Sequence, residues 1–173
     1  FHDGQNAFDS SSATFGNEWG IDDTILEMMK RKVLEGFIVV GIPCHSRDRN
    51  AEYNYFLEGK NYGDSIAFDL RPYINKHFRT KTDRKNTFTM GSSMGALIAF
   101  SMVLQHPEIF SKGAGLSFPA FAYDNFIYDV VEEFPLRKDI AFYLDHGGMG
   151  QDRNYMAPMD DFLRHLKSYG MSE

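Results

Sequence analysis

Cysteine is almost missing from this chain: among 173 residues only Cys44 carries a thiol. One cysteine excludes an intrachain disulfide and any metal site built on cysteine spacing. No run of 18 apolar residues occurs, so no membrane-spanning helix is expected. A concentration of positive charge is lacking too. Lys and Arg number 18 against 24 Asp and Glu, for a net charge of −6. The most basic stretch, residues 79–85, also holds Asp83 and reads as a solvated loop. Nucleic acid is therefore not an expected partner. Repeats and low-complexity linkers are absent. The acidic pairs Asp22-Asp23 and Asp160-Asp161 fall at or near expected helix starts, where the helix dipole accounts for them. No metal site and no cofactor is read from them.

What is present is globular. Hydrophobic residues make up 43% and aromatics 15%, enough for one domain over residues 1–173 with a real core. Residues 1–2 read as the end of a strand and 3–17 as a polar loop. Ile21, Ile25, Leu26, Met29 and Val33 stand at helical spacing, which predicts a helix over 21–35 stopped by Gly36. Residues 37–42, Phe-Ile-Val-Val-Gly-Ile, are a continuous β-branched run of the kind buried in a parallel sheet. Residues 43–63 read as a long polar loop containing His45, Arg47, Arg49 and Glu52. A helix is expected over 64–78, with Pro72 marking a kink or a later start. Then come strand 86–90, a helix from 94 to about 105, strand 112–117, an aromatic-rich excursion over 118–135, strand 139–145, a glycine-rich loop at 147–150 and a helix over 155–168. Strands separated by helices make this an α/β fold with a mostly parallel sheet and helices on both faces. Active sites of such sheets lie at the carboxyl ends of the strands.

One of those strand ends carries Gly91-Ser92-Ser93-Met94-Gly95. Strand, G-x-S-x-G, then helix is the arrangement of a nucleophile elbow. Glycines two before and two after the serine remove Cβ atoms from a sharp turn. The serine hydroxyl is then presented at a helix N-terminus, where the dipole and free N–H groups favour developing negative charge.

Several further blocks resemble a known family. They are Phe-His-Asp-Gly-Gln-Asn-Ala-Phe-Asp at 1–9, Glu-Trp-Gly at 18–20, Val-Val-Gly-Ile at 39–42, Arg-Asn-Ala-Glu-Tyr at 49–53 and His-Pro-Glu-Ile-Phe at 106–110. Together with the elbow they are similar to the putative esterase family. That family includes esterase D, enterochelin esterase-like proteins, feruloyl esterase domains and the antigen 85 mycolyltransferases. The resemblance implies the α/β-hydrolase fold and a serine hydrolase acting on small-molecule carboxylic esters through an acyl-enzyme on Ser93. It implies an oxyanion hole made by the N–H groups of Met94 and Gln5, with Gly4 as the alternative to Gln5. The same machinery used for acyl transfer, or a non-catalytic binding domain, are the other readings. Where relatives commonly have a second glycine after the elbow, this chain has Ala96.

The order of a triad in this fold is serine, acid, histidine. Asp152, in the loop after strand 139–145, is the candidate acid, and Asp145 is its competitor. As a structural residue, Asp152 would cap the following helix. None of the six histidines is well placed as the base. His2 precedes the oxyanion loop, His45 lies in a polar loop, His77 and His165 are on helices, and His106 ends one. His146 is the internal fallback. Trp19, Tyr53, Tyr55 and Phe56 are candidates for a substrate pocket or for core. The chain opens as if in mid-element and stops before the strand and loop that would carry the family's histidine. It therefore resembles a segment truncated at both ends. The intact reading frame is expected to place a histidine about 20–40 residues after Glu173, behind a short apolar strand. Sequencing the gene on both sides checks this, and a stop codon directly after Glu173 would refute it.

Overall fold

A computed structural model describes residues 1–44 and 48–171. The chain forms two compact units, Phe1–Ser46 and Arg47–Glu173, and each is described by itself. His45 and Arg47, read from sequence as loop residues, lie outside the described residues.

In the first unit, residues 1–2 and 40–42 run side by side in parallel. Phe1 N donates to Val40 O at 2.8 Å, Ile42 N to Phe1 O at 2.9 Å and Gly4 N to Ile42 O at 2.8 Å. The pairing amounts to a single bridge, His2 with Ile42. The strand expected over 37–42 is thus not formed as a ladder, and Phe37 and Ile38 are about half exposed. A β-branched run becomes a strand only along the length of a partner. Here the described partner is two residues long. Helix α1 (Ile21–Lys30) begins as expected but ends five residues early. Lys32 turns left-handed at φ 58°, and the N–H groups of Val33 and Leu34 fold back onto Met28 O. That is a helix C-terminal motif in which a residue other than glycine takes the left-handed position.

The second unit opens with helices where the sequence predicts a loop. Residues 49–63, expected as loop, are helical. Asp48 caps α2 (Arg49–Tyr53), its carboxylate accepting from Ala51 N at 3.1 Å. Asn54 then caps a wide turn over Tyr55–Gly59 by accepting from Phe56 N. Helices α3 (Lys60–Ser65) and α4 (Arg71–His77) follow, joined by a second wide turn at Ile66–Leu70. That turn ends two residues before Pro72, which lacks an N–H and would press its ring on the carbonyl four residues back, inside the turn. Polar residues on the outer side hide the helical pattern, while Tyr53 and Tyr55 are buried. The Tyr55 hydroxyl donates to Glu133 at 3.2 Å, and burial, with this carboxylate beside it, pushes the phenol up to about 12.

The sheet follows. Strands β1 (Phe88–Ser92) and, after helix α5 (Met94–Gln105), β2 (Lys112–Leu116) are parallel neighbours. Helix α6 (Ala122–Glu133) occupies the aromatic-rich excursion, with left-handed backbone at Tyr123, Asp124 and Asn125 in its first turn. Strand β3 (Ala141–Leu144) pairs parallel with β2, and α7 (Met156–Ser168) closes the unit. The order β1-β2-β3 makes a three-stranded parallel sheet among the described residues, in agreement with the α/β expectation. Before β1, Arg84 is not merely a solvated loop residue. Its guanidinium donates to Pro107 O at 2.6 Å and to Asp139 Oδ2 at 2.9 Å, tying the entry of β1 to that of β3.

Helix α5 is apolar on every side, and every residue from Met94 to Leu104 is buried. Such a helix is stable only when covered all round. It comes close to β2 because Gly115 leaves room: a Cβ there would lie 3.1 Å from the Ala96 methyl and 2.8 Å from the Phe118 ring. Beside it, Phe100 stacks on Phe142 at 4.2 Å between ring centroids, and Phe118 stacks on Phe162 at 5.3 Å. Phe162 also meets Phe100 edge-on at 5.4 Å, with no exposed surface. Phe162→Ala removes the ring that joins α7 to this cluster. It is expected to cost about 3–5 kcal/mol of unfolding free energy, measured by urea denaturation. A loss below about 1 kcal/mol would show that the cluster closes over the gap.

Candidate active site

Ser93 stands between β1 and α5 with φ 55° and ψ −125°. A serine adopts such a backbone only when its surroundings fix it. Its N–H donates to Leu116 O at 2.9 Å, prolonging the β1–β2 pairing by one residue, while its carbonyl accepts from Ala96 N. The chain must therefore reverse from strand to helix within one residue. Gly91 makes this possible, because a Cβ there would lie 2.3 Å from Gly95 O. Ser93 is half-buried and Met94 is buried. Met94 opens the helix, where first-turn N–H groups have no carbonyl one turn back to bond. Its N–H carries no hydrogen bond among the described residues.

The neighbouring strand ends carry three more polar residues. Ser117 follows β2 and is left-handed at φ 47°. Its N–H donates to Asp145 Oδ1 at 3.0 Å, and its hydroxyl donates to Asp152 Oδ2 at 2.7 Å. Asp152 Oδ2 also accepts from Gly147 N at 2.9 Å. Both donors use the same oxygen. Oδ1 of Asp152 has no hydrogen bond among the described residues. Asp145 is differently engaged. Its backbone bonds Gly115 O and Phe118 N, and its carboxylate takes the Tyr143 hydroxyl, which raises that phenol. Asp145 thus closes the end of the sheet, whereas Asp152 reaches the sheet from a loop. Tyr155, three residues after Asp152, is raised by burial and then by the Asp152 charge. The sequence reading missed Ser117; its place directly after a strand of an α/β sheet was the signal available.

Gln5 lies in the first unit, in the short turn Gly4–Asn6 that follows the His2 bridge. Its side chain holds the turn, with Oε1 accepting from Cys44 N at 3.1 Å. Its own N–H has no hydrogen bond among the described residues, whereas Gly4 N is occupied by Ile42 O.

The described histidines are occupied elsewhere or buried. His106 lies between Asp64 (3.0 Å) and Glu108 (3.4 Å), His77 turns Nδ1 to Tyr73 O, and His165 sits between Tyr128 and Tyr169. Burial holds the His2 imidazole well below the usual histidine range, so it is neutral. His146 Nδ1 is 3.1 Å from Gly147 O, beside the N–H that serves Asp152. Of the aromatics weighed as pocket or core, Tyr53 and Tyr55 are core. Trp19 and Phe56 are exposed at 45% and 47%.

The family model described as Putative esterase matches residues 1–159. That span includes the Ser93 turn, both aspartates and the Gly4–Asn6 turn. No curated protein is matched. No helix among the described residues is long and apolar enough to cross a membrane.

The Ser93 geometry depends on the missing side chain at position 91. Gly91→Ala is expected to lose about 3 kcal/mol or more of stability, since a backbone oxygen occupies the methyl's place. Urea unfolding of the two proteins measures it. A loss under about 1 kcal/mol would mean that the turn can open without cost.

Proposed function

Because this chain belongs to the Putative esterase family, we propose that it hydrolyses small-molecule carboxylic esters with Ser93 as the nucleophile. The observation that carries this reading is the Ser93 backbone, held at φ 55° between a strand end and the buried helix α5. The Ser93 hydroxyl attacks the ester carbonyl carbon while a histidine takes its proton. Negative charge builds on the carbonyl oxygen. The Met94 N–H, at the start of α5, is a donor for it. Collapse expels the alcohol, which takes the proton back, and leaves the acyl group on Ser93. Water then attacks that acyl carbon by the same route, releasing the acid and restoring the serine.

Asp152 is the proposed triad acid. Its role is to hold the imidazole in one tautomer and to stabilise the imidazolium that forms. Two features favour it over Asp145. Its Oδ1 is unoccupied among the described residues, and its loop position leaves it free of sheet hydrogen bonds. Asp145, by contrast, is engaged through both backbone groups and its carboxylate.

In the full-length protein, Ser93→Ala is expected to abolish labelling by a fluorophosphonate. It is also expected to lower kcat/KM on a p-nitrophenyl acyl ester by at least about 10³-fold. Ser92→Ala is expected to keep most of the activity, since the elbow presents only its central serine. An inactive Ser92→Ala beside an active Ser93→Ala would overturn the assignment.

A further inference from the structure

We propose that Ser117 is a positioning residue for the Asp152 carboxylate, its hydroxyl fixing which oxygen of the acid faces the histidine. The inference rests on the reading of Asp152 as the triad acid and goes one residue further.

A loop carboxylate is aimed by the donors that reach it. Asp152 belongs to the short turn Gly150–Asn154 between β3 and α7, in a glycine-rich stretch. Nothing in its own turn fixes the carboxylate plane: the backbone bond there, Tyr155 N to Asp152 O, holds the turn and not the side chain. The two donors that reach the carboxylate come from outside the turn, Ser117 Oγ at 2.7 Å and Gly147 N at 2.9 Å. Both choose Oδ2. A carboxylate with one oxygen doubly bonded presents the other in a fixed direction, as a triad acid must.

Ser117 is itself rigidly placed. It continues β2, whose last residue, Leu116, accepts the Ser93 N–H. Its own N–H is bonded to Asp145. One residue thus links the backbone that fixes the nucleophile to the carboxylate proposed as the acid. The left-handed φ of 47° aims the two groups apart, N–H to Asp145 and hydroxyl to Asp152.

The two aspartates respond differently to loss of this hydroxyl. Asp152 loses a side-chain donor, while Asp145 keeps the backbone N–H. Ser117→Ala and Ser117→Gly in the full-length protein separate the possibilities. Both remove the hydroxyl, and glycine also relieves any strain of the left-handed backbone. Both are expected to lower kcat on a small acyl ester by about 10–100-fold with KM little changed. In an Asp152→Asn background, Ser117→Ala is expected to add almost nothing, because the two residues act as one unit. An Asp152→Asn enzyme that is impaired beside a Ser117→Gly enzyme with parental kcat and KM would overturn the Ser117 proposal alone. An Asp152→Asn enzyme as active as the parent, with Asp145→Asn impaired, would overturn the reading of Asp152 and this proposal with it.

Discussion

The seating of α5 on β2 is the constraint on which the rest of the second unit depends. An all-apolar helix must be buried on every side. To be buried here it has to begin at once after β1 and lie across the sheet. Gly115 lets it approach, and the Phe100, Phe118, Phe142 and Phe162 rings fill the space beside it. The reversal between strand and helix is then forced on one residue, Ser93. A backbone of this kind costs on the order of 1–3 kcal/mol. Burial of a single Leu or Ile side chain recovers about as much, and α5 buries several. The strained serine is thus a consequence of core packing, and its N–H bond to Leu116 O holds it in that place.

Parallel pairing then determines what surrounds that serine. Ser92 is in register with Leu116, and Gly115 with Leu144. The residues directly beyond these partners are Ser93, Ser117 and Asp145, and they emerge along one edge of the sheet. Hydrogen bonds past the ladder keep them there: Ser93 N to Leu116 O, Asp145 N to Gly115 O and Phe118 N to Asp145 O. The sheet therefore extends its order one residue into the loops. Catalytic groups on loops are usually less well held than groups on strands. Here the first residue of each loop is held as firmly as a strand residue.

Much of this was legible in the residues, for reasons that differ by element. The turn at Ser93 was readable because its constraint is local: glycine at 91, an apolar helix after it and a strand before it all report the same reversal. Helices α5 and α7 were placed nearly to the residue, since a buried helix shows as an unbroken apolar run or a regular stripe. The failures share a cause as well. Residues 49–63 carry their apolar contacts on tyrosines and their caps on Asp48 and Asn54, residue types that also mark loops. The run over 37–42 has every strand propensity but lacks a long partner among the described residues, and propensity cannot supply one. Helix α6 was hidden because aromatics such as Phe121 and Tyr123 give no clear period. Ser117 was missed because a lone serine at a strand end carries only its position as a signal. Its significance exists only in the coordinates of Asp152.

The two aspartates show how the same side chain takes different work from its backbone. Asp145 and Asp152 both bond Ser117, and both lie beyond β3. Asp145 continues the strand, so its peptide groups are consumed by Gly115 and Phe118, and its carboxylate satisfies Ser117 N and Tyr143. Moving that carboxylate would open the end of the sheet. Asp152 is attached through a turn, so its carboxylate can be directed without disturbing any ladder. One of its oxygens is saturated and the other is left without a hydrogen bond among the described residues. A group that must exchange hydrogen bonds during a reaction has to be held on one side and unbound on the other. Of the two candidates, only Asp152 combines those conditions, and Ser117 is the residue that supplies the first of them from the sheet.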